Sequence, residues 1–272
     1  MFKRSLAEGG FYFETPNYSD LGELEILMVS PNAPVVYWLG KFINNSFESQ
    51  TSAKRLDYGD CFYAPSIFEN KSQNRTLLSG WVSEAGENHK QKNFGCIALP
   101  KVLTLKENYN LNISPAIELT NLRSKNIIDK KIIIDSKKNN LDNFESNSFE
   151  IKLSFLKNNS DKIIFNFCKN SNFNQYTSII IDFENSNFEL NRSKSSSKEG
   201  SDLSLIETKI SPSDLKIHMY VDVSVIEIFL NYERIITSRI YPNSDSKNFE
   251  LYSLNGNTEL DLKLWTMDSC KV

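Results

Sequence analysis

The sequence predicts an all-β protein, on three observations. Apolar runs of about five to eight residues, rich in Ile, Val, Phe and Tyr, recur along the whole chain. Several of them alternate with period two, the signature of a strand with one buried face. Clusters of turn residues, such as NNS, ENKSQN, KNNSD and LNGN, separate them, while helical periodicity is nearly absent. Many short strands at regular spacing fit a sandwich, a barrel or a propeller.

In chain order the strand candidates are LEILMVS (24–30), VVYWLGKF (35–42), CFYAPSIF (61–68), TLLSGWVS (76–83) and FGCIAL (94–99). After a break come FEIKLSFL (149–156), KIIFNFC (162–168), TSIIIDF (177–183), KIHMYVDV (216–223), VIEIFL (225–230), RIITSRIY (234–241) and LDLKLW (260–265). The best helix candidate is residues 114–125, with Ser114 as cap, Pro115 in the first turn and Glu118 nearby. The halves differ in character. The first holds two of the three Trp and most of the Gly and Pro; the second is rich in Asn, Lys and Ser. Residues 191–202 (NRSKSSSKEGSD) read as a polar loop within the second half. The expected division is a first domain over 1–113, a connector over 114–130 and a second domain over 131–272.

Bulk properties exclude several function classes. A net charge of −3 over 272 residues, with Lys and Arg scattered, argues against a nucleic-acid partner. The four cysteines have neither CxxC nor Cys/His ligand spacing, so neither a metal site nor a disulfide framework is expected, and no cofactor is implied. Only His89 and His218 are present, and His218 lies in an apolar run that reads as a strand. No apolar run approaches the ~20 residues needed to span a membrane, and the first residues carry no apolar signal-peptide core.

One stretch carries chemistry. Residues 11–18 read FYFETPNY, a carboxylate directly after three aromatics. One reading is a strand end, with Glu14 turning to water and Pro16 stopping the ladder. The other is an acid held in an aromatic cleft, where desolvation raises its pKa.

Five segments in order then resemble one family. FYFETPNYSDL resembles the Trp-Glu-Cys-Pro-Asp segment of glycoside hydrolase family 32, the invertases, inulinases and other β-fructofuranosidases. RLDYGDCFYAPSIF (55–68) resembles its Leu-Asp-x-Gly-x-Asp-Phe-Tyr-Ala segment, RTLLSGWVSE (75–84) its Gly-Trp strand, and GCIALPKVLTL (95–105) its Leu-Pro-Arg-x-Leu segment. YVDVSVIEIFLNYERIITSRIYP (220–242) is similar to a hairpin of its C-terminal sandwich, with Asp222, Ser224, Glu227, Phe229, Asn231, Arg239 and Pro242 in register.

The resemblance implies a partial five-bladed β-propeller, about the last two blades, followed by a C-terminal β-sandwich. It implies a retaining hydrolase acting on β-fructofuranosyl bonds of sucrose or fructans, with a fructose-containing saccharide as partner. Retention needs two carboxyl groups about 5–5.5 Å apart, one the nucleophile and the other the acid/base. The acid/base falls on Glu14. Tyr63 and Trp81 fall where the family lines its sugar pocket, and an aromatic face with a phenol suits a furanose ring. Asp57 is a further candidate contact, although with Gly59 it also reads as a turn brace.

The family's nucleophile sits in an Asn-Asp-Pro-Asn segment and a sugar-binding Asp in Arg-Asp-Pro. Neither NDPN nor RDP occurs in these residues. Two further departures are Thr15, where the family has Cys beside the acid, and Cys61, where it has Asp. The chain alone is therefore expected to be inactive or nearly so. The alternatives are a non-catalytic carbohydrate-binding protein, a fragment complementing a second chain with the missing blades, or a homo-oligomer.

Overall fold

A computed structural model describes residues 13–31, 34–70, 75–84, 95–107, 109–137, 141, 144–172, 174–195, 205–211 and 214–269, the side chains of 69 and 70 excepted. Phe11, Tyr12, His89 and most of the polar loop at 191–202 lie outside these residues. The chain divides into two compact units. One comprises residues 1–84, 93–117 and 232–237; the other comprises 85–92, 118–231 and 238–272.

The first unit holds two antiparallel sheets. One contains β1 (Glu14–Asp20), β2 (Glu25–Ser30), β3 (Val36–Ile43), β4 (Ser46–Ser49) and β5 (Lys54–Arg55), in the order β1-β2-β3-β4 with β5 also on β3. The other contains β6 (Phe62–Asn70), β7 (Arg75–Val82), β8 (Cys96–Ile97), β9 (Lys101–Leu105) and β10 (Leu111–Pro115), ordered β10-β9-β7-β6 with β8 on β7. The β3–β4 turn is two residues, Asn44 and Asn45, at φ of 50° and 63°, the left-handed pair that a tight hairpin requires and Asn tolerates. Leu27, Val29, Trp38 and Phe47 form a buried cluster, and Phe13 packs against it. Pro16 does not stop the ladder: β1 is an edge strand and continues past the proline, as edge strands can.

The second unit holds the remaining sheets. Its strands are β11 (Arg123–Ile134), β12 (Ser148–Asn158), β13 (Lys162–Lys169), β14 (Thr177–Asp182), β15 (Asn187–Asn191), β16 (Ile206–Lys209), β17 (Lys216–Asp222), β18 (Val225–Leu230), β19 (Arg234–Arg239), β20 (Asn248–Leu254) and β21 (Thr258–Met267). One sheet runs β11-β21-β12-β17-β18, and residues 234–237 of β19 are counted in the first unit; the other runs β16-β15-β14-β13-β20. Phe149 of β12 meets Phe167 of β13 and Phe249 of β20 with ring centroids at 6.1 and 4.9 Å, so the inner faces of both sheets share an aromatic core. The helix expected over 114–125 is reduced to a 3-10 helix at Ile117–Leu122. From Arg123 the chain is a strand, because pairing with β21 outweighs the local cap signal.

Alternation puts Glu150, next to Phe149, on the opposite face of β12, where it is fully buried. Arg123 donates to both its oxygens at 2.6 and 2.7 Å, and Nε2 of His218 lies 2.8 Å from Oε1. The Arg123 guanidinium also lies 3.9 Å over the Trp265 ring. Burial alone would raise Glu150, but hydrogen bonds from Arg123 and His218 overcome it and bring the pKa to about 2. A depressed carboxylate contributes stability above its ordinary pKa of 4.5, lost as pH falls towards 2. Glu150→Gln is expected to cost roughly 3 kcal/mol at neutral pH and to flatten this acid limb in urea unfolding measured from pH 7 to 2.

Candidate active site

Two bulges build the site. The β1–β2 register shifts between Glu14 and Asn17, and the β6–β7 register shifts between Tyr63 and Ser66. The residue after Glu14 is Thr15 at φ 43°, and the residue after Tyr63 is Ala64 at φ 46°. Left-handed backbone is strained for any residue with a Cβ, most of all a β-branched one. Each bulge re-aims the side chain just before it.

Those two side chains meet. The Tyr63 hydroxyl lies 2.8 Å from Oε2 of Glu14 and 3.1 Å from the Ser30 carbonyl oxygen, with its single proton shared between the two acceptors. The Thr15 hydroxyl donates to Ser30 Oγ at 2.8 Å. Asn17 joins the bulges: Nδ2 donates to the carbonyls of Thr15 and Pro65 at 2.9 and 2.7 Å, and Oδ1 accepts from the Ile67 amide at 2.9 Å. Asn17 and Ser30 were not singled out from the sequence. Polar residues are so common in this chain that only the fold distinguishes them.

Trp81 lies opposite Tyr63 across β6 and β7, so both rise from the same face. The indole is 43% exposed and borders a hollow of about 660 Å³, beside Phe68 and Ile97. The structure thus brings Glu14 and Tyr63 into contact and sets Trp81 opposite Tyr63 by register, while the hollow that Trp81 borders is lined by neither Glu14 nor Tyr63. Among the described residues no aromatic cleft encloses Glu14, and Phe11 and Tyr12 of the expected cleft lie outside those residues. The Glu14 side chain is exposed, and the Phe13 ring stacks on Trp38 instead, with centroids 6.4 Å apart.

Asp57 is placed apart from this group and is 3% exposed. Its Oδ1 accepts from the amides of Gly59 and Thr237 at 2.7 and 3.0 Å, and Oδ2 accepts from the Thr237 hydroxyl at 2.5 Å. With its oxygens committed internally, Asp57 braces the turn instead of presenting a carboxylate to sugar. Gly59 is required here, because a Cβ would stand 1.9 Å from the Thr237 carbonyl oxygen. Cys61, where the resembled family has Asp, is buried, with its thiol 3.2 Å from an Asp60 oxygen.

An exposed carboxylate gripped by a phenol can give or take a proton from a bound hydroxyl or glycosidic oxygen. The described residues contain no group of three or more His, Cys, Asp or Glu placed to hold a metal. Burial raises Asp57 to about 6 from an ordinary 3.8, with hydrogen bonds from Thr237 offsetting part of the rise. A raised carboxylate contributes stability fully below its unfolded pKa and loses it as pH climbs through the folded one. Between about pH 4 and 6 the first unit should lose roughly 3 kcal/mol on this account. Asp57→Asn should remove that slope in unfolding followed by tryptophan fluorescence; an unchanged slope would assign the titration elsewhere.

The same residues align with known proteins. Residues 1–115 match the model "Glycosyl hydrolases family 32 N-terminal domain", and residues 118–266 match "Glycosyl hydrolases family 32 C terminal". A sucrose-6-phosphate hydrolase of Zymomonas mobilis is 28% identical, covering 98% of this chain and 56% of its own length. A levanase of Bacillus subtilis is 26% identical over 85% of this chain and 37% of its own. Among solved structures, an exo-inulinase from Aspergillus awamori superposes with a TM-score of 0.82 at 20% identity, over 94% of this chain and 57% of that one. This chain therefore spans about half the length of the sucrose-6-phosphate hydrolase it matches. With a family model matched across each half, the chain belongs to glycosyl hydrolases family 32.

Proposed function

We propose that these residues are the acid/base-bearing part of a retaining β-fructofuranosyl hydrolase, with Glu14 as the acid/base and Tyr63 and Trp81 lining the fructosyl pocket. The observation that carries this reading is the 2.8 Å hydrogen bond from Tyr63 to an exposed Glu14, with Trp81 opposite Tyr63. The phenol holds the carboxylate in one orientation, and the indole offers an apolar face to a sugar ring. The substrate class rests on relatives named as sucrose-6-phosphate hydrolase and levanase. On this reading the two sheets of the first unit are the last two blades of a five-bladed propeller, ending near residue 113. Residues 114–130 lead into a C-terminal sandwich over 131–272.

The displacement itself needs a second carboxyl group, and the family's nucleophile motif does not occur in these residues. By themselves they should leave sucrose intact. A fructosidase acting through two carboxyl groups fails when either is missing, typically by several orders of magnitude. Phe68 and Ile97, which are 46% and 83% exposed, support the reading that further blades cover this face, supplied by another stretch of polypeptide.

The test has two arms. The chain alone, incubated with sucrose and inulin, is expected to release no fructose; turnover abolished by Glu14→Gln would show a complete site within these residues. Joining the amino-terminal half of the Zymomonas mobilis relative to the chain should create fructose release that Glu14→Gln removes. A folded but inert chimera would overturn the hydrolase reading.

A further inference from the structure

A second hollow lies in the first unit, of about 430 Å³, and shares no lining residue with Glu14, Tyr63 or Trp81. Tyr37 and Lys54 face each other across β3 and β5, so their side chains rise on the same side and both line it. Tyr37 is 7% exposed, and among the described residues its hydroxyl makes no hydrogen bond. The hydroxyl is not fully buried, so it opens onto the hollow with its proton and lone pairs available to an oxygen that the hollow receives.

The wall is cationic, against the net negative charge of the chain. Lys54 donates only to Asn110 Oδ1, at 3.1 Å. The Arg55 guanidinium donates to the carbonyls of Asp57 and Gly59 at 2.6 and 2.7 Å. Among the described residues neither cation meets a carboxylate. Arg234 and Arg55 flank the Tyr58 ring at 5.1 and 5.4 Å from its centroid, which concentrates positive charge at one wall. The single lining carboxylate, Glu233, is bound by Lys106 at 2.6 Å.

We propose that this hollow binds a small phosphate monoester of a polyol or sugar. Lys54 and the arginine pair receive the phosphate, while Tyr37 and Asn110 receive hydroxyls. Guanidinium and ammonium groups together suit a dianion with three acceptor oxygens. The volume exceeds what a bare phosphate fills, and the remaining wall offers neutral polar atoms of the kind that hold hydroxyls. The inference is independent of the hydrolase reading and uses none of its residues.

Isothermal titration of the full chain with glycerol 3-phosphate, inorganic phosphate and glycerol tests it. Glycerol 3-phosphate should bind saturably, inorganic phosphate several-fold more weakly, and glycerol not at all. Lys54→Gln should weaken glycerol 3-phosphate about tenfold, as should raising the salt to about 0.5 M. Tyr37→Phe, which keeps the ring and its packing, should weaken it a few-fold. Circular dichroism confirms that both variants are folded. Binding no tighter than that of glycerol, equal binding of inorganic phosphate, or affinity unchanged in a folded Lys54→Gln protein would each overturn the proposal.

Discussion

The first unit is organised around a carboxylate that has no water to ionise into. Asp57 reaches residues 180 positions away, holding the amide and hydroxyl of Thr237 while also capping the amide of Gly59. Its neighbours join the same contact, since Tyr58 donates to the Ile235 carbonyl at 2.7 Å. The turn at 57–61 is thereby pinned, and β6 begins immediately afterwards at Phe62. Tyr63 is the second residue of that strand. A looser turn would let the register of β6 slip, and a slip of one residue carries Tyr63 to the other face of the sheet. The position of the phenol that grips Glu14 thus depends on a buried acid that never touches it.

The strain of the site has a consistent location. Thr15 and Ala64, both left-handed, immediately follow the two side chains that meet. Such conformations cost of order 1–3 kcal/mol each and persist only where surroundings enforce them. Here the enforcement is visible: Asn17 bonds across both bulges, and Ser30 holds both Thr15 and Tyr63. A regular ladder would have kept Glu14 and Tyr63 in the pleat of their own strands. The bulges turn both residues towards a common point, where the Tyr63 hydroxyl meets the Glu14 carboxylate.

Much of the strand content was legible because alternation is a local property. LDLKLW and FEIKLSFL announce their buried faces without reference to any partner. The failure at 114–125 has the converse cause. Ser114 and Pro115 are genuine start signals for a helix, but Arg123 onward pairs with residues 258–267, a contact invisible to any local window. Glu14, Tyr63 and Trp81 were singled out through motif resemblance; the contact between Glu14 and Tyr63 was not legible, since they are 49 positions apart. The aromatic cleft was read from adjacency in sequence. In a strand, adjacency sends neighbouring side chains to opposite faces, so Phe13 turns inward to Trp38 while Glu14 turns out.

Two buried carboxylates show how little burial alone determines. Asp57 is surrounded by neutral donors, and desolvation wins, lifting it to about 6. Glu150 is equally hidden, but its donors are a guanidinium and an imidazole, and it falls to about 2. The difference is whether the partner carries charge: a neutral donor stabilises a carboxylate by less than dehydration costs it, and a cation by more. Their shifts are opposite, so acid acts on them in opposite directions, and the two residues belong to different units. Lowering the pH from 6 to 4 removes a penalty from the first unit and leaves Glu150 ionised in the second. The second unit loses its pairing energy as the pH falls from about 4.5 towards 2. Mild acid therefore favours the unit bearing Glu14 before it harms the other, and that asymmetry follows from partner charge rather than from depth.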